Sequence, residues 1–372
     1  MKMKKLIALV LALFLVLSLA ACNSSTTTPP SSAAAISPTN TELPANSLQG
    51  DAGSTHTEDD EQSFEQTSEA NTNSQQKNVN SAYSEDIENI SVDIMATNAY
   101  VLNVDTNSVL YQKNSDKHIA PASTAKMLTA LTALDYCSLD DTITVGSEID
   151  LIASDSSRAW LSNGDTLTVR QLLVALLLPS GNDAAYTLAV NAGKRIAGED
   201  GLGAQQAVKV FVDAMNQKAK KVGATSSNFI APDGYDADGQ YTTAFELAQI
   251  AKVCLGNNAL SEIMGSYKIY DTWMNGREVT YRNTNELINP DSQYYYSKAI
   301  GLKTGTTGDA GSCLVSAADI NGQTYICVVM GSSAGIRFSD CLTVFSAIDP
   351  TISLPQENNA TPSAAPSGLR RR

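Results

Sequence analysis

Between Ile87 and Pro350 apolar residues recur with strand and helix periods, whereas the flanks, apart from one short apolar run near the start, are nearly free of them. That segregation constrains the fold more than any other feature of the chain. Only this stretch of about 260 residues can bury a core, and it holds no internal linker or repeat, so it reads as one unit. Within it the strand signals stand at the two ends. Ala99–Val104 and Val109–Lys113 flank a turn signal, Asp105-Thr106-Asn107-Ser108. Tyr296–Lys303 predicts a third strand. Cys313–Asp319 and Thr324–Met330 predict two more, joined through Asn321-Gly322, a strong hairpin dipeptide. Helical patterns fill the middle. One opens after Pro121, with Ser123 near its start, and a second spans Val169–Leu178. A third covers Asp183–Asn191, with Asn182 placed to cap it. Gln205–Lys221 is amphipathic and stops at Gly223, and Thr243-Ala244-Phe245-Glu246 reads as a capping box for a helix ending at Gly256. A last helix spans Ile336–Ser346. This order predicts an α/β (α+β) architecture: strands from both chain ends pair into one antiparallel sheet covered by helices, with a helical subdomain between.

The flanks carry different signals. Lys2, Lys4 and Lys5 precede an apolar run, Leu6–Ala21, so residues 1–21 read as a signal peptide. The run is short for a spanning helix, which needs about 20 residues. Its end, Leu19-Ala20-Ala21-Cys22, is similar to a bacterial lipobox, whose cysteine is lipidated; an ordinary signal peptide with an incidental cysteine is the alternative. Residues 22–86 are rich in Ser, Thr, Asn, Gln and Pro and predict a disordered linker, and residues 351–372 predict a disordered tail. Together these features predict an extracytoplasmic domain, lipid-anchored through Cys22 to the outer face of a bacterial cell membrane.

Charge and residue counts exclude several kinds of chemistry. A net charge of −14 argues against nucleic-acid binding, which needs clustered Lys and Arg. The chain has two histidines, His56 and His118. A His-rich zinc site therefore lacks ligands, no metal or cofactor is expected, and any catalytic base must be sought elsewhere. The six cysteines include no C-x-x-C pair. With Cys22 modified, five remain. Cys313 and Cys327 fall on neighbouring predicted strands and either face each other or are, like the rest, buried free thiols.

Three short motifs stand in order: Ser123-Thr124-Ala125-Lys126, Ser180-Gly181-Asn182 and Lys303-Thr304-Gly305. On a helix, residues three apart share a face, so Lys126 reaches the Ser123 hydroxyl. Ser123 in a first helical turn also meets free N–H groups that favour developing negative charge. Burial beside a second cation, Lys303, lowers a lysine pKa and turns it into a base. Ser180 sits on a short loop after a proline, and its hydroxyl both donates and accepts, which suits proton relay. Asn182 offers an amide to orient Lys126 or a substrate backbone. Lys303 and Thr304, at a strand end, offer a cation and a hydroxyl to a carboxylate. Gly305 removes a side chain where an extended peptide would pair with the strand edge. Each motif alone is commonplace; the ordered set is specific.

With these motifs the sequence resembles the low-molecular-weight penicillin-binding proteins, serine-type D-Ala-D-Ala carboxypeptidases of the S11 peptidase kind. The resemblance extends to Pro121-Ala122, Asp183-Ala184-Ala185, Pro232-Asp233-Gly234, Tyr241-Thr242-Thr243-Ala244, Asn283-Thr284-Asn285 and Gly301-Leu302. It implies a β-lactamase/transpeptidase-like fold and a catalytic domain over residues 87–350. It implies that Ser123 attacks the penultimate D-alanine carbonyl of a peptidoglycan stem peptide, that Lys126 takes its proton, and that the backbone N–H groups of Ser123 and Thr306 form an oxyanion hole. It implies a part for Arg337 in carboxylate binding, and acylation of Ser123 by β-lactams. Tyr241 stands where many relatives carry histidine, and no role is assigned to it. Two other readings remain: a class A-like β-lactamase, whose nearest glutamate candidate, Glu286, is badly spaced, and a non-catalytic lipoprotein that binds cell wall or senses β-lactams.

Overall fold

The computed structural model describes residues 90–355. Cys22, the signal peptide, the linker and the end of the tail lie outside the described residues. Strands β1 (Asn98–Asn103), β2 (Val109–Lys113), β7 (Ala299–Thr307), β8 (Gly311–Ile320) and β9 (Gln323–Ser332) form an antiparallel sheet in the order β2-β1-β9-β8-β7. Strands from early and late in the described residues meet at its centre, where Tyr100 pairs with Val328. All six residues of β1 are buried, because both faces of the sheet are covered. The pleat sends alternate residues to two cores. Tyr100, Leu102, Ile326, Val328 and Met330 face the core shared with the central helices. Ala99, Val101, Cys327 and Val329 face a smaller core closed by the C-terminal helix. The β8–β9 hairpin turns at Asn321 and Gly322 with φ of 56° and 78°, the left-handed pair that a two-residue turn demands.

The helices are α1 (Lys126–Leu134), α2 (Val169–Leu177), α3 (Asn182–Ala197), α4 (Ala204–Lys221), α5 (Ala244–Leu255), α6 (Asn258–Gly265) and α7 (Ile336–Ile348). Thr168 and Gln171 close a full capping box on α2. Two small hairpins, β3 (Thr142–Thr144) with β4 (Thr166–Thr168) and β5 (Lys268–Thr272) with β6 (Glu278–Arg282), flank the helical side.

Several expectations need correction. Asn182 is the first residue of α3, not its cap; Gly181 holds that place and no side chain caps the helix. The Thr243 box is half-formed: Thr243 accepts from the Glu246 N–H, but the Glu246 carboxylate turns away to the Ser226 N–H and the Ser227 hydroxyl. The third strand begins at Ala299 and runs on to Thr307, so Lys303-Thr304-Gly305 lies within it rather than at its end. The β-branched Thr304, Thr306 and Thr307 carry the ladder to Gly311. Cys313 and Cys327 point to opposite faces of the sheet and cannot face each other; Ser316 is the residue opposite Cys327. All five cysteines of the described residues are buried free thiols, and Cys327 meets Cys341 of α7 instead.

Candidate active site

Ser123 stands in a 3-10 turn, Ala122–Ala125, that leads directly into α1, a tighter start than the helical turn expected from sequence. Ala122 precedes it with φ of 47°, a conformation unfavourable for a residue with a Cβ. Two glycines allow neighbouring backbone to hold the turn there. A Cβ on Gly305 would lie 2.8 Å from the Ala122 Cβ and 3.0 Å from the Ser123 nitrogen, and one on Gly234 would lie 1.9 Å from the Ala122 carbonyl oxygen. Gly305 is thus required where β7 crosses the serine turn, a different reason from the strand-edge pairing expected of it. The same crossing lays β7 at Gly305 alongside the Ser123 and Thr124 nitrogens. Ser123 stays half-buried, while Thr124, Ala125 and Lys126 are sealed.

Lys126 is wholly buried, and its Nζ donates to Ser123 Oγ at 2.7 Å and to the Asp233 carbonyl at 2.8 Å. Burial brings its pKa down to about 8, and the carboxylates of Asp233 and Asp183 oppose that fall. The burial expected from sequence is therefore the cause, and the second cation expected beside it adds nothing to the fall. The repulsion between the two lysines falls on Lys303, which burial, Lys126 and Arg337 together push well below the ordinary lysine value. Lys303 is also wholly buried, and its Nζ donates to Ser180 Oγ at 2.9 Å and to the Thr304 carbonyl at 2.9 Å.

Ser180 has φ of 65°, another strained residue, and a neighbouring loop holds it. Ser157 Oγ donates to the Ser180 carbonyl at 2.7 Å, and the Ser157 carbonyl accepts from the Asn182 N–H at 2.9 Å. The buried Asp183 carboxylate accepts from the N–H groups of Ala159 at 2.9 Å and Leu161 at 3.0 Å, fixing the loop to the start of α3. Asn182 faces this loop too: its Oδ1 receives the Ser157 hydroxyl at 3.4 Å, and no bond joins it to Lys126. The Thr304 hydroxyl pairs with that of Thr284. Arg337, from the start of α7, donates to the Gly305 carbonyl at 3.0 Å and to Thr306 Oγ1 at 2.7 Å, while its buried Nε has no partner among the described residues. Glu286 accepts from the Asn289 amide in a short turn. His118 stacks on Tyr241 with ring centroids 4.0 Å apart and takes no part in this hydrogen-bonded group.

The residues picked from sequence thus fall into linked pairs, Ser123 with Lys126 and Ser180 with Lys303, with Arg337 tied to the strand between them. Of the supporting residues, Ser157 went unnoticed, and Asp183 and Asp233 entered only within the resembling segments, with no role assigned. Asp183 carried a legible signal: an acid inside the apolar start of a helix has to satisfy buried donors.

A family model described as D-alanyl-D-alanine carboxypeptidase (peptidase S11) matches residues 57–334. The chain belongs to that family. Among S11 relatives, the D-alanyl-D-alanine carboxypeptidase of Streptomyces sp. (strain K15) is 34% identical over 271 residues, covering 68% of this chain and 87% of the relative. DacF of Bacillus subtilis (strain 168), also a D-alanyl-D-alanine carboxypeptidase, is 32% identical over 241 residues, and the match spans 64% of this chain and 58% of that relative. The crystal structure of the Streptomyces K15 DD-transpeptidase superposes with a TM-score of 0.63 at 32% identity, covering 69% of this chain and 98% of the other. The S11 fold is therefore the mixed α/β arrangement of a DD-peptidase, as the resemblance implied.

Proposed function

We propose that this S11 chain is a serine D-alanyl-D-alanine carboxypeptidase that removes the terminal D-alanine from peptidoglycan stem peptides through an acyl-enzyme on Ser123. One observation carries the reading: a lysine with its pKa brought to about 8 lies 2.7 Å from a half-buried serine hydroxyl. Lys126 accepts the Ser123 proton as Oγ attacks the penultimate carbonyl. The N–H groups of Ser123 and Thr306 face the developing oxyanion. The departing D-alanine nitrogen receives a proton through Ser180, which Lys303 orients. Thr304, Thr306 and Arg337 take the substrate carboxylate, a role suited to the unpaired Nε of Arg337. Water then releases the stem peptide. β-Lactams present the same amide and carboxylate and stop at the acyl stage.

The position of Glu286, committed to Asn289, weighs against a class A-like lactamase, and the intact serine–lysine pair weighs against a pure wall-binding lipoprotein. Intact-mass and peptide mass spectrometry after benzylpenicillin is expected to find the adduct on Ser123, and release of D-alanine from a pentapeptide is expected to vanish in Ser123→Ala. An unmodified Ser123, or a wild type that releases no D-alanine, sinks the proposal.

We infer that the domain works outside the cell membrane, held by a lipid on Cys22 through the residue 22–86 linker. Among the described residues no helix is long and apolar enough to cross a membrane. Cys22→Ser is expected to move the protein from the membrane fraction to the soluble extracytoplasmic fraction; unchanged fractionation contradicts the anchor.

A further inference from the structure

Asp233 holds the catalytic lysine through its backbone, yet among the described residues its side chain has no ion-pair partner. The Asp233 carbonyl is one of two partners of Lys126 Nζ, at 2.8 Å. Its residue is 2% exposed, and its Oδ1 accepts from the Tyr235 N–H at 3.0 Å in a tight turn. None of the ion pairs among the described residues includes it. A carboxylate removed from water without a cation is costly. The cation that acts on it is Lys126.

We propose that Asp233 is a positioning residue whose charge sets the pH at which Lys126 becomes able to accept the Ser123 proton. This rests on the acyl-enzyme reading above. Burial works in opposite directions on the two groups, raising Asp233 and lowering Lys126, and each charge opposes the other's shift. The charge state of one therefore bears on the proton affinity of the other. While Asp233 is ionised it holds the proton on Lys126 and delays the appearance of the base. When Asp233 is neutral, Lys126 gives up its proton more easily.

The other groups in this setting are accounted for. Asp183, on α3, acts on Lys126 in the same direction as Asp233, but both its oxygens are engaged by Ala159 and Leu161. Lys303, on β7, feels the charges of both Lys126 and Arg337, and the lysine–lysine repulsion lowers Lys303 rather than Lys126. The Tyr186 phenol of α3 senses the Asp233 charge and is pushed above its usual range, chiefly by burial, so it stays neutral alongside Asp233. Tyr235, fixed by the Asp233 turn, donates to Asp155 at 2.9 Å across to the loop that supports Ser180.

Asp233→Asn separates charge from shape. The asparagine oxygen still accepts the Tyr235 N–H, and the backbone carbonyl that holds Lys126 is unchanged. The rate of Ser123 acylation by benzylpenicillin, and kcat/KM for D-alanine release, are measured from pH 5 to pH 10 in wild type and variant. The expected result is an acid limb displaced downward by about one pH unit in both assays. An active variant with an unmoved or upward-moved limb overturns the proposal. So does a folded variant inactive at every pH, since the charge would then be required rather than tuning. If Asp233→Asn does not fold, Asp233→Ser gives the same test, because its hydroxyl accepts the same N–H without charge. A wild type that is acylated but releases no D-alanine contradicts the carboxypeptidase reading alone, and the displacement of the acylation limb still decides the role of Asp233.

Discussion

If Lys126 is the proton acceptor, acylation of Ser123 must follow the fraction of that lysine that is uncharged. Desolvation brings its pKa down to about 8. Below that value the side chain is an ammonium that donates to Ser123 Oγ and cannot take its proton; above it a lone pair is free. With a pKa of about 8 the neutral fraction is roughly one tenth at pH 7 and roughly nine tenths at pH 9. The acylation rate constant with benzylpenicillin is therefore expected to rise about tenfold between pH 7 and pH 9 and then level off. Stopped-flow or quenched intact-mass measurements over short times give this constant before alkaline hydrolysis of the reagent matters. Lys126→Arg supplies the control, because a guanidinium keeps its proton throughout. It should lose the ramp and fall by about two to four orders of magnitude, the range a positioned base contributes. A wild-type rate that is flat from pH 6 to pH 10, or an arginine variant with near-native rates, refutes the argument.

Gly305→Ala places a Cβ 2.8 Å from the Ala122 Cβ and 3.0 Å from the Ser123 nitrogen, so acylation should slow at least tenfold while Lys126 stays buried, as read by penicillin labelling. Asp183→Asn leaves either the Leu161 N–H or the N–H groups of Ala159 and Ala184 facing an amide NH2; urea unfolding should show a loss of about 2–4 kcal/mol. Ser180→Ala removes the acceptor of Lys303 Nζ, and D-alanine release should fall by about two orders of magnitude or more while the melting temperature stays within a few degrees of wild type.

The large antiparallel sheet was legible because its strands are short apolar runs bounded by turn residues; the second predicted strand coincides with β2, and Asn321-Gly322 falls on the β8–β9 turn. What escaped were elements whose apolar periods are weak. The β5–β6 hairpin is half-exposed along its length, so Ile269, Val279 and Tyr281 alternate with charged residues and its signal is thin. Helix α6 is short, and its Asn257 cap lies just after the end of α5, where one helical pattern stops. At the site, reactive side chains advertise themselves by type and spacing. Groups acting through the backbone do not: the Asp233 carbonyl and the Ser157 carbonyl could come from any residue, and only the folded chain shows which one arrives. Asn182 misled for a related reason. Asparagine is a good cap, but here the Ser157 loop claims its oxygen first.

The pairing of β1 with β9 has a consequence for how the protein comes into being. Asn98 meets Met330 across more than two hundred intervening residues, and β7, which carries Lys303, joins the sheet only through β8. Ribosome or export machinery delivering this chain from its beginning thus releases the serine turn long before its lysine-bearing strand exists. Contacts so distant in sequence form slowly and expose unpaired edges meanwhile. A polypeptide cut short before β9 should hold every residue of the serine–lysine pairs and still be inert, which makes competence for hydrolysis a property acquired only when synthesis is nearly done.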